Sequence, residues 1–516
     1  MTRSEYAVVD LFAGPGGLAE GFSSVRVSDG SRPFRIVLSV EKDPVAHKTL
    51  RLRSFLRQFD GNYPQEYYDW IMRADEQPDW QRLYPVQWRA ACDEAQNLTM
   101  GVPGDDAGIA RRLATIRRKF GDRTIVIGGP PCQAYSLVGR ARNMGKADYV
   151  FEEDHRHELY KAYVEVLSRL KPAAFVMENV KGLLSSKANG NFLFHKVLGD
   201  LRTAGGTGRG YRLITLAANG SPVAEPAPSD FVIRAEQYGI PQARHRLFIV
   251  GLREDIACQL DDELIERARL EERPEATVRH VLAGMARLRS GISRSEDDAD
   301  AWTAEVLQAF ATLDKVRLTG PTARTMAFRA SLEKAMTALR SVNISLRRSD
   351  RSLAAPGIDC ASELAAWFED PRLMALPNHE SRTHMSGDLL RYAFCAAFGD
   401  AFGRSPKADE FPRQLAPKHA NWQSGKFADR FKVQVWDAPS STVTSHISKD
   451  GHYYIHPDAS QCRSLTVREA ARLQTFPDNY AFLGNRTQQY VQVGNAVPPL
   501  LAGRIAEALH GLLSQA

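Results

Sequence analysis

Residues 6–17 read YAVVDLFAGPGG and join a short apolar run to a glycine-rich turn. The run Tyr6–Ala13 predicts a buried strand, and Leu18–Val25 after the turn predicts a helix. Such a turn lets a ligand approach the backbone at the carboxyl edge of a sheet. It lacks the GxGxxG spacing, so a pyrophosphate-bearing dinucleotide is not the first ligand to expect. Taken alone, the turn is equally compatible with a purely structural role.

Further apolar runs of strand length follow along the chain, separated by helical segments. Predicted strands lie at 36–40, 124–128, 173–177, 211–216 and 246–251. Predicted helices lie at 54–73, 107–119, 159–170, 465–473, with Thr466 as its N-cap, and 500–513. Short apolar runs that alternate with helices predict an α/β fold with a doubly wound, mostly parallel sheet covered on both faces.

The composition is that of an ordinary soluble protein. Hydrophobic residues make up 43% and charged residues 25%, which excludes a disordered or collagen-like chain. The net charge of +6 over 516 residues is a weak indication of a polyanionic partner. No apolar run reaches the roughly 18 residues of a membrane span, and the N-terminus lacks a signal peptide's apolar core, so we expect a cytoplasmic protein. Six scattered cysteines without a CxxC pair predict neither a disulfide framework nor a metal site.

Glu41 follows the predicted strand at 36–40. An acidic side chain at this position can accept hydrogen bonds from both ribose hydroxyls of a nucleoside-containing cofactor. A lone glutamate at a strand end is more often a solvated carboxylate. Together with the glycine turn, however, Glu41 favours a nucleoside cofactor at this edge.

The segment GGPPCQAYS at 128–136 places Cys132 directly after a predicted strand and two prolines. A free cysteine is usually a small buried hydrophobe. Here the prolines stiffen the loop, and Gln133, Tyr135 and Ser136 surround the thiol with polar groups. Because a thiolate needs access and local stabilisation, this setting favours a nucleophile.

Two further segments carry charged groups near strand ends. Glu178 follows the apolar run at 173–177, where it serves either as a proton donor beside Cys132 or as a helix-capping carboxylate. Arg244 and Arg246 occupy alternate positions before and within the run at 246–251. Alternate residues of a strand share a face, so these two could act together on one anionic or carbonyl group. Two solvated arginines are the alternative.

Seven segments of the chain, in this order, resemble the motifs of the DNA (cytosine-5)-methyltransferase family. They are DLFAGPGG (10–17), VEKD (40–43), GGPPCQAYS (128–136), ENV (178–180), QYGIPQARHRLFIVG (237–251), RSLTVREAARLQTFP (463–477) and QVGNAVPP (492–499). The resemblance covers about residues 6–251 and 437–512. It implies the adenosylmethionine-dependent methyltransferase fold, with S-adenosylmethionine as methyl donor.

The resemblance also assigns roles to side chains. It implies that Cys132 attacks carbon 6 of cytosine, that Glu178 contacts N3 and Arg246 contacts O2, and that the base is flipped out of the duplex. Arg244 would support a loop or a phosphate, and Asn179 and Gln133 would support the catalytic loop and the flipped base. The implied cofactor contacts are Asp10, Phe12 against the adenine, Ala13, Gly14, Gly16, Gly17, Glu41, Pro131 and, near the methionine portion, Asn495. An acidic residue should contact the adenine; Asp105 is the first choice and Asp122 its rival.

The same resemblance divides the chain into residues 1–260 (catalytic), 261–475 (an inserted, smaller target-recognition domain) and 476–516 (a catalytic return). Within the insert, residues 404–432 hold seven Lys/Arg against three Asp/Glu, with interleaved aromatics, which favours DNA contacts over a solvated basic face. Thr442–Thr444 resembles the segment that approaches the flipped base. The helical stretch at about 290–345 has no assigned role.

The predicted enzyme is thus a monomeric, nucleoid-associated DNA (cytosine-5)-methyltransferase acting on a specific duplex sequence. A restriction-modification or phage-defence system, with a nuclease or other defence components as partners, is its expected setting. An RNA cytosine-5 methyltransferase and a catalytically silent DNA-binding relative are the alternatives. The large insert favours duplex DNA, and the presence of Cys132, Glu178 and Arg246 disfavours a silent relative.

Overall fold

The computed structural model describes residues 5–73, 76–131, 159–188, 191–206, 210–218, 226–341, 346–352, 362–416 and 431–516. Its strands are β1 Tyr6–Leu11, β2 Phe34–Val40, β3 Ala95–Gln96, β4 Thr124–Gly128, β5 Ala174–Val180, β6 Lys187–Ala188, β7 Asn191–Phe192, β8 Tyr211–Ile214, β9 Val232–Arg234, β10 Gln242–Ala243, β11 His245–Arg253, β12 Gly291–Ile292, β13 Thr383–His384 and β14 Ser440–Ser441. Within the described residues, the main sheet has the order β3-β2-β1-β4-β5-β11-β8, and β9 also pairs with β11.

The main sheet is parallel from β3 through β5 and antiparallel around β11. Strands β1 to β5 pair in parallel, whereas β11 runs against β5, β8 and β9. The parallel part brings the carboxyl ends of β1, β2, β4 and β5 to one edge, where ligands bind in such folds. The predicted doubly wound, mostly parallel α/β sheet is confirmed.

Helices cover both faces of the main sheet and also form the separate core of the region after β11. They are α1 Gly17–Ser24, α2 Pro44–Arg57, α3 Gln65–Arg73, α4 Trp80–Leu83, α5 Pro85–Glu94, α6 Pro103–Phe120, α7 Leu159–Leu170, α8 Leu193–Thr203, α9 Glu254–Ala257, α10 Asp262–Arg267, α11 Val278–Leu282, α12 Ala299–Asp314, α13 Thr322–Arg340, α14 Ser362–Phe368, α15 Ser386–Phe402, α16 Val467–Leu473, α17 Arg486–Asn495 and α18 Pro499–Leu513. Alternate β1 residues enter two cores: Val8 packs with α1 and α18, and Val9 with α6 and α7.

The predicted helix at 54–73 is two helices in the structure. Helix α2 begins earlier, at Pro44, and ends at Arg57, while α3 begins at Gln65. Between them Asp60 and Gly61 adopt left-handed backbone angles, which no helix tolerates, so the chain turns there. The other predicted helices are present with small shifts of their ends. Thr466 caps α16 as predicted, because its side chain accepts a hydrogen bond from the Glu469 amide.

The region after β11 contributes to two separate apolar cores. Helices α12, α13 and α15 enclose one core with Phe431 and Cys462. Helices α11, α16, α17 and α18 instead join the core on the α1 face of the sheet. The chain therefore returns to the sheet after the helical stretch, while the domain bounds 1–260, 261–475 and 476–516 stay predictions. None of the described helices has the length and apolar character of a membrane span.

Candidate active site

The glycine turn lies at the carboxyl end of β1. Phe12, Gly14 and Gly16 adopt φ values of 57°, 58° and 104°, and the Ala13 amide donates to the carbonyl of Val40 at 3.0 Å. These left-handed angles are costly for the partly exposed Phe12 and natural for glycine. An added Cβ at Gly14 would meet no atom within 4 Å, so the turn borders open space on that side.

Glu41 lies against this turn, just beyond β2. Its Oε2 accepts from the Gly14 amide at 2.8 Å, and its Oε1 accepts from the Asp43 amide at 2.7 Å. Burial raises the pKa of the Glu41 carboxyl, and the two amide hydrogen bonds oppose that shift. The carboxylate is thus oriented by backbone alone, with further lone pairs free to accept from a ligand's hydroxyl groups.

Asn97 was missed by the sequence patterns. It follows β3, and its Nδ2 donates to the carbonyls of Glu41 and Lys42 at 2.8 and 3.0 Å. The side chain therefore fixes the two peptide groups that follow the Glu41 side chain along the backbone. Strand β3 has two residues and no apolar run, so no pattern in the sequence could have marked it.

The remaining predicted cofactor residues differ in how deeply they are buried. Asp10 is fully buried, and this burial raises the pKa of its carboxyl well above the usual range despite the opposing charge of Arg57. Pro131 is half-buried, and Asn495, the last residue of α17, is exposed. The described residues contain no cluster of three or more His, Cys, Asp or Glu that could hold a metal ion.

The two candidates for the adenine contact lie at opposite edges of the sheet. Asp105 is in the first turn of α6, beyond the carboxyl end of β3, and its Oδ2 accepts from the Thr99 amide at 2.8 Å. Asp122 precedes β4 and forms an ion pair with Arg253 at 3.1 Å. Because β1 and β4 are parallel, Asp122 lies at the edge away from the glycine turn. The geometry therefore favours Asp105.

The proline turn after β4 runs directly past Glu178. An added Cβ at Gly129 would lie 3.0 Å from Glu178 Oε2, and the Pro130 carbonyl accepts from Asn179 Nδ2 at 3.3 Å. Strand β5 extends to Val180, so Glu178 and Asn179 are part of the strand rather than the loop after it. The next residues along the turn, Cys132 and Gln133, lie outside the described residues.

Glu178 and Arg246 lie diagonally across the antiparallel pair β5–β11, where Arg246 is opposite Val180 and Phe248 is opposite Glu178. Arg246 Nε lies 3.2 Å from Glu178 Oε1, and both side chains keep a small exposed fraction. Burial lowers the pKa of the Arg246 guanidinium and the Glu178 charge opposes this shift, so the pair is partly desolvated and mutually stabilised. A carboxylate and a guanidinium at this spacing present an acceptor and donors side by side to a planar ligand edge.

Arg244 has other partners than Arg246. Its Nη1 and Nη2 donate to the carbonyls of Val443 and Ala496 at 2.8 and 3.0 Å. Burial lowers the pKa of Arg244 to about 9, with the like charge of Arg246 as the next cause. Because both terminal nitrogens of Arg244 are used on backbone carbonyls, the structure supports the predicted role of Arg244 in holding a loop, and joint action of the two arginines on one group stays a prediction.

The chain is similar to known proteins over almost its full length. A family model described as C-5 cytosine-specific DNA methylase matches residues 109–511. The type II methyltransferase M.Bpa9945I of Bacillus paralicheniformis is 31% identical, with 98% of this chain and 99% of the relative aligned. The DNA (cytosine-5-)-methyltransferase M.ApeKI of Aeropyrum pernix is 29% identical over 99% of both chains.

Among solved structures, one from E. coli, described as a DNA modification methyltransferase encoded within a prophage, superposes with a TM-score of 0.50. It shares 19% identity and covers 99% of this chain and 100% of its own, which supports the fold. The family model spans well over half of the chain. The chain therefore belongs to the C-5 cytosine-specific DNA methylase family.

Proposed function

We propose that this protein transfers a methyl group from S-adenosylmethionine to carbon 5 of a cytosine flipped out of a specific duplex DNA sequence, through a covalent Cys132 adduct. The observation that carries the proposal is the Glu178–Arg246 pair, 3.2 Å apart at the sheet edge that the Pro130-Pro131 turn borders. Cys132 is the next residue along that turn. A nucleophile, a carboxyl group and a guanidinium would thus converge on one ring.

The chemistry follows from the low nucleophilicity of carbon 5 of cytosine. The Cys132 thiolate forms a bond from Sγ to carbon 6, and the electrons of the 5,6 double bond shift toward N3 and O2. Glu178 shares a proton with N3 and Arg246 donates to O2, so both stabilise the developing charge. Carbon 5 then accepts the methyl group as the methyl–sulfur bond of the donor breaks and S-adenosylhomocysteine is left. Carbon 5 next loses its proton to a water molecule, and the electrons of that C–H bond restore the 5,6 double bond and expel the thiolate.

The residues at the glycine turn suit the methyl donor. When bound, S-adenosylmethionine supplies an electrophilic methyl group from a sulfonium. The Glu41 carboxylate would accept from the ribose hydroxyls, since two backbone amides already orient it. The partly exposed Phe12 ring would stack on the adenine, and Asp105 and the exposed Asn495 would contact the two ends of the donor. Asp10, being fully buried, would support the turn from beneath.

The target base lies inside a duplex stack, so it must be extruded to reach the pair at the sheet edge. The basic segment at 404–432 would supply phosphate contacts, and 417–430 of it lies outside the described residues. The relatives named type II methyltransferases support a role in restriction-modification or phage defence. Action as a monomer in the cytoplasm, near the nucleoid, completes the proposal, with a nuclease as the expected partner in the system.

Covalent trapping tests the proposal. Duplex DNA prepared with 5-fluorocytosine in place of cytosine should hold the protein on a denaturing gel when S-adenosylmethionine is present. The reason is that fluorine at carbon 5 blocks the proton loss that releases the thiolate. Cys132→Ser should give no band, because a serine hydroxyl is a far weaker nucleophile at neutral pH. The matched control Cys258→Ser changes an exposed cysteine outside the site and should be trapped like the wild type.

Two results would contradict the mechanism. The first is a covalent band that persists in Cys132→Ser. The second is a wild-type protein that transfers tritium-labelled methyl groups to unmodified DNA yet forms no band. Transfer to tRNA but not to duplex DNA would instead redirect the substrate assignment.

A further inference from the structure

Three buried polar side chains connect the start of β11 to the segment around β14 and to the end of α17. We call Gln242, Arg244 and Gln474 the buried relay. Gln242 and Gln474 are fully buried, and Arg244 is nearly so. Polar groups this deep cannot exchange a lost partner for water, so each of their hydrogen bonds constrains the atoms it joins.

One end of the relay forms hydrogen bonds with the backbone of Val443. The Val443 amide donates to Gln242 Oε1 at 2.8 Å, and its carbonyl accepts from Arg244 Nη1 at 2.8 Å. The adjoining Thr442 Oγ1 donates to the Ala243 carbonyl at 2.6 Å, and β14 pairs with β10. The segment 440–444 is therefore fixed at both backbone groups of a single residue.

The other end of the relay grips the residues on either side of Asn495. Gln242 Nε2 donates to Gln474 Oε1 at 3.0 Å. Gln474 Nε2 in turn donates to the carbonyls of Val493 and Ala496 at 2.7 and 3.3 Å, and Arg244 Nη2 also donates to Ala496. Asn495 is thus held in place through its neighbours, although its own side chain is exposed.

Two glycines bring these segments into backbone contact. An added Cβ at Gly494 would lie 2.2 Å from the backbone of Thr444 and Ser445, and one at Gly17 would lie 2.2 Å from the Val497 carbonyl. At contacts this close neither segment can move toward the other, so the position of 440–444 constrains that of 493–497, and 493–497 constrains the glycine turn. A continuous packed path therefore joins the segment at 440–444 to the turn after β1.

We propose that Gln474 is a positioning residue whose amide holds 440–444 and 493–497 in one arrangement, so that binding of DNA and binding of the methyl donor favour each other. The inference rests on the proposed function, in which the glycine turn holds the donor, and on the resemblance of Thr442–Thr444 to the segment that approaches the flipped base. Gln474 touches neither ligand; its effect passes through Gln242, Val493 and Ala496.

Binding linkage tests this role without relying on chemistry. S-adenosylhomocysteine is titrated into the protein alone and into the protein saturated with long unmethylated duplex DNA, and the ratio of the two Kd values is the readout. We expect DNA to tighten binding in the wild type by about fivefold or more. Gln474→Met keeps the side-chain length but removes both polar atoms, and the ratio should fall below about twofold.

Two further variants guard against a folding defect. Gln474→Glu keeps an acceptor for Gln242 but cannot donate to Val493, and it should lose the linkage as Gln474→Met does. The control Gln492→Met removes a different buried glutamine, which lies in α17 and whose Nε2 donates to the Leu483 carbonyl at 2.8 Å. It should lower the melting temperature comparably yet keep the wild-type ratio.

The inference would be overturned by a wild-type ratio of one, by a ratio retained in both Gln474 variants, or by a ratio lost equally in Gln492→Met. Methyl transfer by the wild type to the same DNA is measured separately with tritium-labelled donor. Absence of that transfer would overturn the proposed function, whereas the Kd ratios bear on the relay.

Discussion

Arg244 and Arg246 show how two side chains of one type serve different tasks within three residues. Arg246 is paired with the Glu178 carboxylate at the sheet edge and keeps a small exposed fraction. Arg244 uses both terminal nitrogens on backbone carbonyls of two distant segments. Because its planar fork matches these two carbonyls, a lysine at 244 would reach one of them at most. Arg244 therefore holds two segments of the fold together, whereas Arg246 is the residue to which the proposed mechanism gives a contact with the substrate.

Tyr480 supports the glycine turn from the other end of the chain. Its fully buried hydroxyl donates to the Pro15 carbonyl at 2.5 Å, and the Arg53 guanidinium lies 4.7 Å above its ring. Arg53 in turn pairs with Glu20 in α1, the helix that begins at the turn. The hydroxyl group thus fixes one peptide of the turn next to the buried Arg53–Glu20 ion pair.

Replacing Tyr480 with phenylalanine should weaken binding of S-adenosylhomocysteine. Loss of one buried hydrogen bond, worth about 0.5–1.5 kcal/mol, would let the turn relax and reduce affinity roughly 2- to 10-fold. The matched control is Tyr490→Phe, whose buried hydroxyl donates to the Leu465 carbonyl at 2.6 Å and does not contact the turn. Calorimetric titration should find unchanged affinity in the control, and equal affinities in both variants would refute the role of Tyr480.

At the scale of elements, glycines determine how closely two segments can approach, because they have no side chain. Helix α17 lies against Thr444 and Ser445 at Gly494, and α1 lies against α18 at Gly21, where an added Cβ would be 2.4 Å from the Pro499 carbonyl. The nearest obstructing atom in both places belongs to backbone, and the Ala502 Cβ beside Gly21 is equally unable to rotate away. These glycines are required by packing rather than by backbone angle, because neither adopts a positive φ.

Gly494→Ala should therefore damage the protein more than a surface change would. The added methyl group must push the backbone at Thr444 aside, which should destabilise the fold by about 1–3 kcal/mol or more and reduce methyl transfer. Gly511→Ala is the control in helix α18, where an added Cβ meets no atom within 4 Å. There alanine should stabilise by roughly 0.5–1 kcal/mol, as in any open helix position. Denaturant melts of both variants decide this, and similar unfolding midpoints would count against it.

The elements of the main sheet were largely predictable because each strand is an apolar run bounded by turn residues. The run at 124–128 matches β4, and the run at 246–251 lies inside β11. The direction of β11 could not be predicted from the residues, since a strand buried on both faces has the same apolar pattern whether it pairs in parallel or antiparallel. Strand β3 could not be predicted, because two residues are too few to show a strand pattern. Its position depends on its pairing with β2.

The candidate site was predictable where motif and strand end coincide. Glu41, Glu178 and Arg246 lie at the carboxyl edge as expected. Asn97 and Tyr480 escaped, because their contacts join residues 55 and 465 positions apart in the chain. Contacts of that range depend on how the helices pack, which local patterns do not encode.

At the scale of the whole molecule, the chain leaves the sheet after β11 and later returns to it. A buried polar cluster around His379, which we call the junction, connects the two parts. His379 lies between Ala286, whose carbonyl is 3.2 Å from Nε2, and Thr466, whose Oγ1 is 3.0 Å from Nδ1. These contacts fix a neutral ring that donates through Nε2 and accepts through Nδ1. The charged groups that act on it are Glu469, Arg463 and Arg472.

Burial lowers the pKa of His379 from 6.5 to about 4, while the nearby Glu469 opposes this shift. Between those values the unfolded chain binds a proton that the native ring refuses, so the stabilisation present above pH 6.5 is lost as pH falls toward 4. For one such histidine the loss from pH 7.5 to pH 5 is about 2 kcal/mol.

His379→Gln should make stability less sensitive to acid. Glutamine can donate to Ala286 and accept from Thr466 but does not titrate, so its unfolding free energy should drop by about 2 kcal/mol less than that of the wild type between pH 7.5 and pH 5. Exposed His195 offers the matched control, and His195→Gln should follow the wild-type curve. Urea melts at both pH values give the comparison. An identical pH dependence in His379→Gln and wild type would mean that the junction already accepts the proton in the folded state, and that its acid sensitivity comes from other groups.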